Sequence, residues 1–275
     1  MRIKNTHKLF GEPVEGALEK FLAGAQRDAG NNTPAQQSVQ QPVNVNINIA
    51  SREYIQIGIN GLHGKPVVIS CYELQGSNKK DYEDAHRFVL QQGLYVPTPL
   101  IFSTHFKNVI EAKEGRKQLF YADVSPVNSA EIDEIYKHLT TNYKNIFGSN
   151  DFGAWTWLNA KFVQGSGDKK IDLETITGIK SDGTFIIKTE PLECKIWENC
   201  FVEIDFNRQG LPKVKSANQS YAQGDNINFY FPVKDTVARF YAGSNRAVLY
   251  CNRNPLSSSP SLGVFACAEG AAGKK

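Results

Sequence analysis

An α+β fold is predicted, with helices gathered in the first half of the chain and short, irregular strands in the second. Residues 129–139, SAEIDEIYKHL, place Ile132, Ile135, Tyr136 and Leu139 on one helical face behind an acidic first turn, with Ser129 as the expected cap. After Gly148 the apolar residues fall into short runs split by Gly, Asn and Asp. Within that half, Ser181-Asp-Gly-Thr184 joins 175–179 to 184–188 as a hairpin, because Asp-Gly supplies the positive φ that a tight turn needs. At 275 residues, 41% hydrophobic and 11% aromatic, the chain can bury a sizeable core.

Taken in order, residues 15–26 form a short amphipathic helix with Leu18, Phe21, Leu22 and Ala25 on one face. Residues 28–42 hold no core former except Val39 and read as a linker, so 1–42 is expected as a helix with a flexible tether. Residues 43–49, VNVNINI, alternate between β-branched residues and Asn. That is a strand with one buried face, whose Asn side could pair with another copy in a homo-oligomer. Residues 54–59 and 66–71 are two more strands joined by a Gly-rich turn. From Asp81 to Gln92, Tyr82, Ala85, Phe88 and Val89 recur at helical spacing and Gly93 follows as a stop. The Pro-rich segment 96–99 stiffens the chain before a helix over 104–113 capped by Thr104, and 119–122 reads as a strand. The helix that opens at Ser129 is expected to end near Tyr143. The mixed α/β region thus spans 43–148, and a β-rich domain spans 149–275.

Composition narrows the function. A net charge of +3 from 31 basic and 28 acidic residues leaves no basic face of the kind that tracks nucleic acid, so no nucleic-acid partner is expected. The N-terminal segment has a basic start but no apolar run of signal-peptide length, and no stretch is long and apolar enough to enter a bilayer. The expectation is a soluble protein made in the cytoplasm, including one that ends as part of a virion or attached to a surface. Cys71, Cys194, Cys200, Cys251 and Cys267 are odd in number and irregular in spacing, which suits free thiols better than a disulfide framework or a zinc ribbon. His7, His63, His86, His105 and His138 stand beside no recognisable catalytic partners, and no nucleotide-binding or zinc-protease motif is present. No cofactor and no metal are expected.

The most unusual stretch is the run from Thr236 to Ala268, which contains no Lys, Glu, Gln, Met or Trp, types that make up about a fifth of the chain. Asn, Ser, Tyr and Arg stand there instead, the mixture that recognition loops use for adaptable hydrogen bonding and large contact area. Three segments of this run, 237–247 (VARFYAGSNRA), 251–255 (CNRNP) and 261–267 (SLGVFAC), resemble the variable region of proteins diversified by diversity-generating retroelements. A looser likeness extends through 155–162, 192–194 and 225–232, roughly the last 120 residues. In that family, random replacement at template adenines of Asn-type codons cannot yield Lys, Glu, Gln, Met or Trp. The resemblance implies a C-type lectin fold of the formylglycine-generating-enzyme type, here a lectin-like domain over 149–275 closed by a strand at Leu262-Gly-Val-Phe265. Phe265 stands where that strand more often carries Arg. No counterpart of the Ca²⁺ loop of sugar-binding C-type lectins is evident.

A non-enzymatic, diversified ligand-binding protein follows from that resemblance, with a protein or cell-surface molecule as partner. The binding face is expected at Phe240, Tyr241, Ser244, Asn245, Val248, Tyr250, Asn252, Asn254, Ser257 and Ser259, with Gly243, Arg246, Cys251, Gly263 and Cys267 as scaffold. Arg239, Arg246 and Arg253 recur every seven residues with no acid nearby, a pattern suited to an anionic ligand. Seven is odd, so on one continuous strand they would not share a face. Two other functions remain open. One is a structural or assembly protein of a virion or plasmid system. The other is a Mg²⁺-dependent nuclease, in which Asp172 and Glu193 hold the metal and Lys195, otherwise a solvated strand residue, positions water.

Overall fold

The structure is a computed structural model that describes residues 7–9, 12–14, 45–46, 52–143, 146–148, 152–166, 170–243 and 245–272. The helix expected at 15–26, the linker at 28–42 and most of the strand at 43–49 lie outside the described residues. The chain divides into two compact units, Met1–Gln41 and Pro42–Lys275. In the first unit, β1 (His7–Leu9) pairs antiparallel with β2 (Glu12–Val14).

The second unit is mixed α+β, and it joins the segments 43–148 and 149–275 within one core. In chain order it contains β3 (Val45–Asn46), β4 (Tyr54–Asn60), β5 (Pro66–Ser70), α1 (Tyr82–Leu90), α2 (Pro99–Lys113) and α3 (Ser129–Thr140). These are followed by β6 (Trp155–Gln164), β7 (Ile171–Ile179), β8 (Phe185–Pro191), β9 (Cys200–Glu203), β10 (Asn226–Tyr230), β11 (Thr236–Gly243), β12 (Arg246–Arg253), β13 (Cys267–Glu269) and β14 (Ala271–Ala272). A seven-stranded sheet has the order β8-β7-β6-β11-β12-β10-β9, antiparallel except where β10 runs parallel to β12. A three-stranded sheet, β13-β5-β4, and the pair β14-β3 complete the strands. Among the described residues, no helix is long and apolar enough to cross a membrane.

The helix boundaries follow from capping chemistry. Asp81 caps α1 by accepting from the Asp84 N–H. α2 begins earlier than expected: Thr98, not Thr104, is its cap, and Pro99 occupies the first turn, where a missing N–H costs nothing. Thr104 instead turns its hydroxyl back onto the Leu100 carbonyl inside the helix. α3 is capped by Asn128 rather than Ser129, in a reciprocal box with Glu131, and ends at Thr140 rather than near Tyr143. Residues 119–122 do not form a strand but make single bridges from Phe120 to Pro126 and from Tyr121 to Ile55. The expected hairpin is present, with Gly183 at φ +82 in the turn between β7 and β8.

The seven-stranded sheet has two faces of different character. Its inner face, with Leu158, Ala160, Phe162, Ala238, Phe240, Leu249 and Cys251, shares one core with α2, α3 and the three-stranded sheet. Its outer face is covered over β6 and β7 by α1, where Tyr82 meets Trp157 edge-on at 5.9 Å and Arg87 donates to the Gly183 carbonyl while lying over the Phe185 ring.

A ribbon from Leu262 to Ala268, buried throughout, links the two sheets. Residues 262–265 do not close the fold as a strand. Gly263 makes one bridge to Thr156, and regular pairing resumes only at β13 against β5. Side-chain hydroxyls take the backbone donors that a ladder would otherwise hold: Ser77 Oγ accepts from Val264 N, Thr156 Oγ1 from Phe265 N and Ser70 Oγ from Ala266 N, at 3.0, 3.1 and 3.0 Å. Beside it, buried Glu73 accepts from the Trp155 N–H at 2.8 Å, and its other oxygen lies 2.9 Å from His138 Nε2.

Two outcomes are expected. Thr156→Val removes the acceptor for the buried Phe265 N–H at little change in shape and should cost about 1–3 kcal/mol in urea denaturation. The second concerns His86, enclosed between Tyr82 and Phe185, whose burial lowers its pKa to about 3. The folded value lies below that of the unfolded chain, so this contribution to stability is whole above about pH 6.5 and drains away as the pH falls towards 3. The cost at about pH 4.5 is about 2–3 kcal/mol, and urea midpoints at neutral and acid pH should differ less for His86→Phe than for the parent.

Candidate functional site

Strands β11 and β12 carry the sequence-marked region, and their alternation sorts it into two layers. Phe240 points inward, with its ring centroid 4.8 Å from that of Phe102 and 5.3 Å from that of Phe106. It is a core residue and is corrected from the expected binding face. Val248 is likewise fully buried although it pairs with outward Tyr241, so it also presents no surface. Ser244 lies outside the described residues. Tyr241 and Asn252 are half-buried, Asn245 and Asn254 are exposed, and Ser257 and Ser259 are half-buried in the loop after β12. Asn254 Oδ1 accepts from the Leu256 N–H and so organises that loop, from which Leu256 projects 77% exposed. Of the expected scaffold residues, Cys251 and Cys267 are buried free thiols, while Arg246 is exposed and lies over the Tyr241 ring. Gly243 leaves room for Tyr241: a Cβ there would stand 2.5 Å from the tyrosine hydroxyl.

On the outer face, beyond the part that α1 covers, aromatic rings and guanidinium groups form one cluster. Trp155 meets Tyr241 edge-on, Tyr230 and Tyr250 have ring centroids 4.8 Å apart, and Tyr250 is 8% exposed. Arg239 lies within 6 Å of Trp155, Trp157 and Tyr250, and the Arg253 guanidinium carbon sits 3.6 Å from the Tyr250 centroid. The seven-residue spacing does not separate the arginines. Arg239 is on β11, and on β12 the register slips: Val237 pairs with Arg253 but Arg239 with Tyr250, so Cys251 and Asn252 together oppose Ala238. That bulge restores Arg253 to the face of Tyr250.

Desolvation by burial, and then the neighbouring Arg253, lower the Arg239 pKa to about 10. Among the described residues, eight buried side-chain atoms have no hydrogen-bond partner, and three of them, Trp155 Nε1, Arg239 Nε and Arg253 Nε, belong to this cluster. Three such atoms in one patch are a concentration of unmet polar demand, each costing about 1–3 kcal/mol.

No protein-family model, curated protein or solved structure matches the chain. The chemistry of the site therefore rests on its own geometry. Elsewhere, Glu193 is engaged by Arg208 at 3.0 and 2.5 Å, Asp172 lies on β7, and Lys195 is exposed in the loop between β8 and β9 rather than on a strand. Among the described residues, no three His, Cys, Asp or Glu side chains stand together as a metal site. A cavity between α2 and the sheet, lined by Phe102, Phe106, Leu158, Phe240 and Leu249, belongs to the inner core.

Trp155, Tyr230, Arg239 and Arg253 were absent from the expected binding face. Only the unpaired arginines left a trace in the sequence, since Trp155 and Tyr230 join the patch through strand pairings remote in sequence. The two layers predict opposite responses along β11. Phe240→Ala should cost about 3–5 kcal/mol as a core truncation, whereas Tyr241→Ser should cost about 1 kcal/mol or less, both read from chemical denaturation.

Proposed function

We propose that this chain is a non-enzymatic ligand-binding protein whose segment 236–268 displays an exchangeable recognition surface on a C-type-lectin-like scaffold, diversified by a retroelement of the type its sequence resembles. The observation that carries this reading is the division of labour in β11 and β12. The inner residues Ala238, Phe240, Ala242, Ala247, Leu249 and Cys251 belong to the core, while Tyr241, Asn245 and Asn252 lie outside it. A surface so attached can change its side chains while the packing beneath stays the same. The chemistry of the outer layer supports recognition of a protein: Tyr, Trp and Arg supply most of the binding energy at interfaces, and an Asn- and Ser-rich loop with exposed Leu256 borders them.

The test is a displayed library with Tyr241, Asn245, Asn252, Asn254, Ser257 and Ser259 randomised together. Members should keep thermal midpoints within a few degrees of the parent, as surface changes do. Selection on unrelated protein targets should return distinct binders. A library that mostly unfolds, or one that folds and yields no binder, overturns the proposal.

A further inference from the structure

Arg239 and Arg253 are two cations near one phenol ring, and no carboxylate is available from their own segment, because 236–268 contains neither Asp nor Glu. Burial and Arg253 both act against the charge on Arg239; among the main influences on that group only the Tyr250 phenol acts the other way, and none is a carboxylate. The enclosed atom of each guanidinium is Nε, while its terminal nitrogens are not among the enclosed, unpartnered atoms. Both residues are only partly buried, so each guanidinium has lost water at Nε while its side chain still meets solvent. A guanidinium stripped and oriented in this way binds a planar oxyanion more strongly than a freely hydrated one, through two parallel N–H···O bonds.

We propose that this pair is the anchor point for a carboxylate, an Asp or Glu side chain on a protein partner, with Trp155, Tyr241 and Tyr250 as the walls around it. The inference rests on the recognition reading above and names the chemistry of what is recognised. A carboxylate supplies the missing countercharge, and the apolar stem of Glu packs on rings of the kind that line this patch. A protein fits better than a nucleic acid, because the chain is close to charge-balanced and the cations sit within an aromatic patch instead of along a basic stripe.

The experiment uses the full chain and follows the Arg Nε–H resonances by NMR, with those of Arg239 and Arg253 identified from Arg239→Gln and Arg253→Lys. The probes are an acetylated, amidated tetrapeptide carrying two Glu, the same peptide with Gln in their place, and inorganic phosphate. The Glu peptide should shift both resonances saturably in the parent, and the Gln peptide should not. Arg239→Gln should abolish the response of the remaining arginine, and Arg253→Lys, which keeps charge but loses the planar fork, should weaken binding about tenfold. Equal responses to the Glu and Gln peptides, a response to phosphate alone, or no saturable shift with any probe each overturn the inference. The peptide comparison is made on the parent, so misfolding of a variant does not decide it. If the library yields binders while the parent ignores the Glu peptide, the carboxylate assignment falls and the recognition reading stands; if no binder emerges, that reading falls.

Discussion

The ribbon at 262–268 is the constraint on which the rest of the second unit depends. It runs through the interior, where an unmet N–H is expensive, and it lies between two sheets that would otherwise share no edge. Its backbone groups are met from both sides: the Trp155 carbonyl and the Trp157 N–H bracket Gly263, the Leu74 N–H reaches the Val264 carbonyl, and Tyr95 exchanges two bonds with Cys267. Where pairing fails, Ser70, Ser77 and Thr156 supply oxygen at the required depth. Glu73 then ties the start of β6 to α3 through Trp155 and His138. Strands β11 and β12 sit beside this junction because β6, which the ribbon grips, is the neighbour of β11.

That arrangement gives β11 and β12 two nearly independent duties. Their inner side chains are small or apolar and pack against α2, where Phe102 touches both Phe240 and Phe265. Among the described residues, the outer side chains Arg239, Tyr241 and Tyr250 meet the rings of Phe152, Trp155 and Tyr230. Stability lives in the first layer, and the second carries three of the unmet polar atoms. A patch holding two partly desolvated cations and three enclosed polar atoms without partners is costly for a free protein, and a complementary surface would relieve that cost.

Much of the framework was legible from residue order, because it rests on local rules. Periodicity located α1, α3, β4 and β5, and Asp182-Gly183 located the hairpin of β7 and β8. Errors came where two local rules competed: Ser129 and Asn128 are both good caps, and the reciprocal contact with Glu131 selects Asn128. Pro99 was taken as a spacer, yet the first turn of a helix tolerates proline. Of the proposed binding residues, Phe240 faces the core because a run of mixed composition does not reveal which parity points inward, whereas Val248 has the outward parity and is nevertheless buried. The kinship of Arg239 and Arg253 was hidden for a different reason: a register slip has no local signature in residue types. Nor does any residue in 262–265 announce that its partners are hydroxyls far away in the chain.

The slip in β12 also restricts the ways in which this surface can evolve. Arg253 reaches the side of Tyr250 by counting, since Cys251 and Asn252 together oppose Ala238. Adding one codon between Tyr250 and Arg253 would turn that guanidinium towards the apolar layer beside Cys251, whereas removing one would erase the bulge and leave the arginine on the side of Tyr250 by plain alternation. Point replacements leave the count alone. An insertion is thereby the change this strand tolerates least, and lineages carrying this fold should differ here in spelling without growing longer.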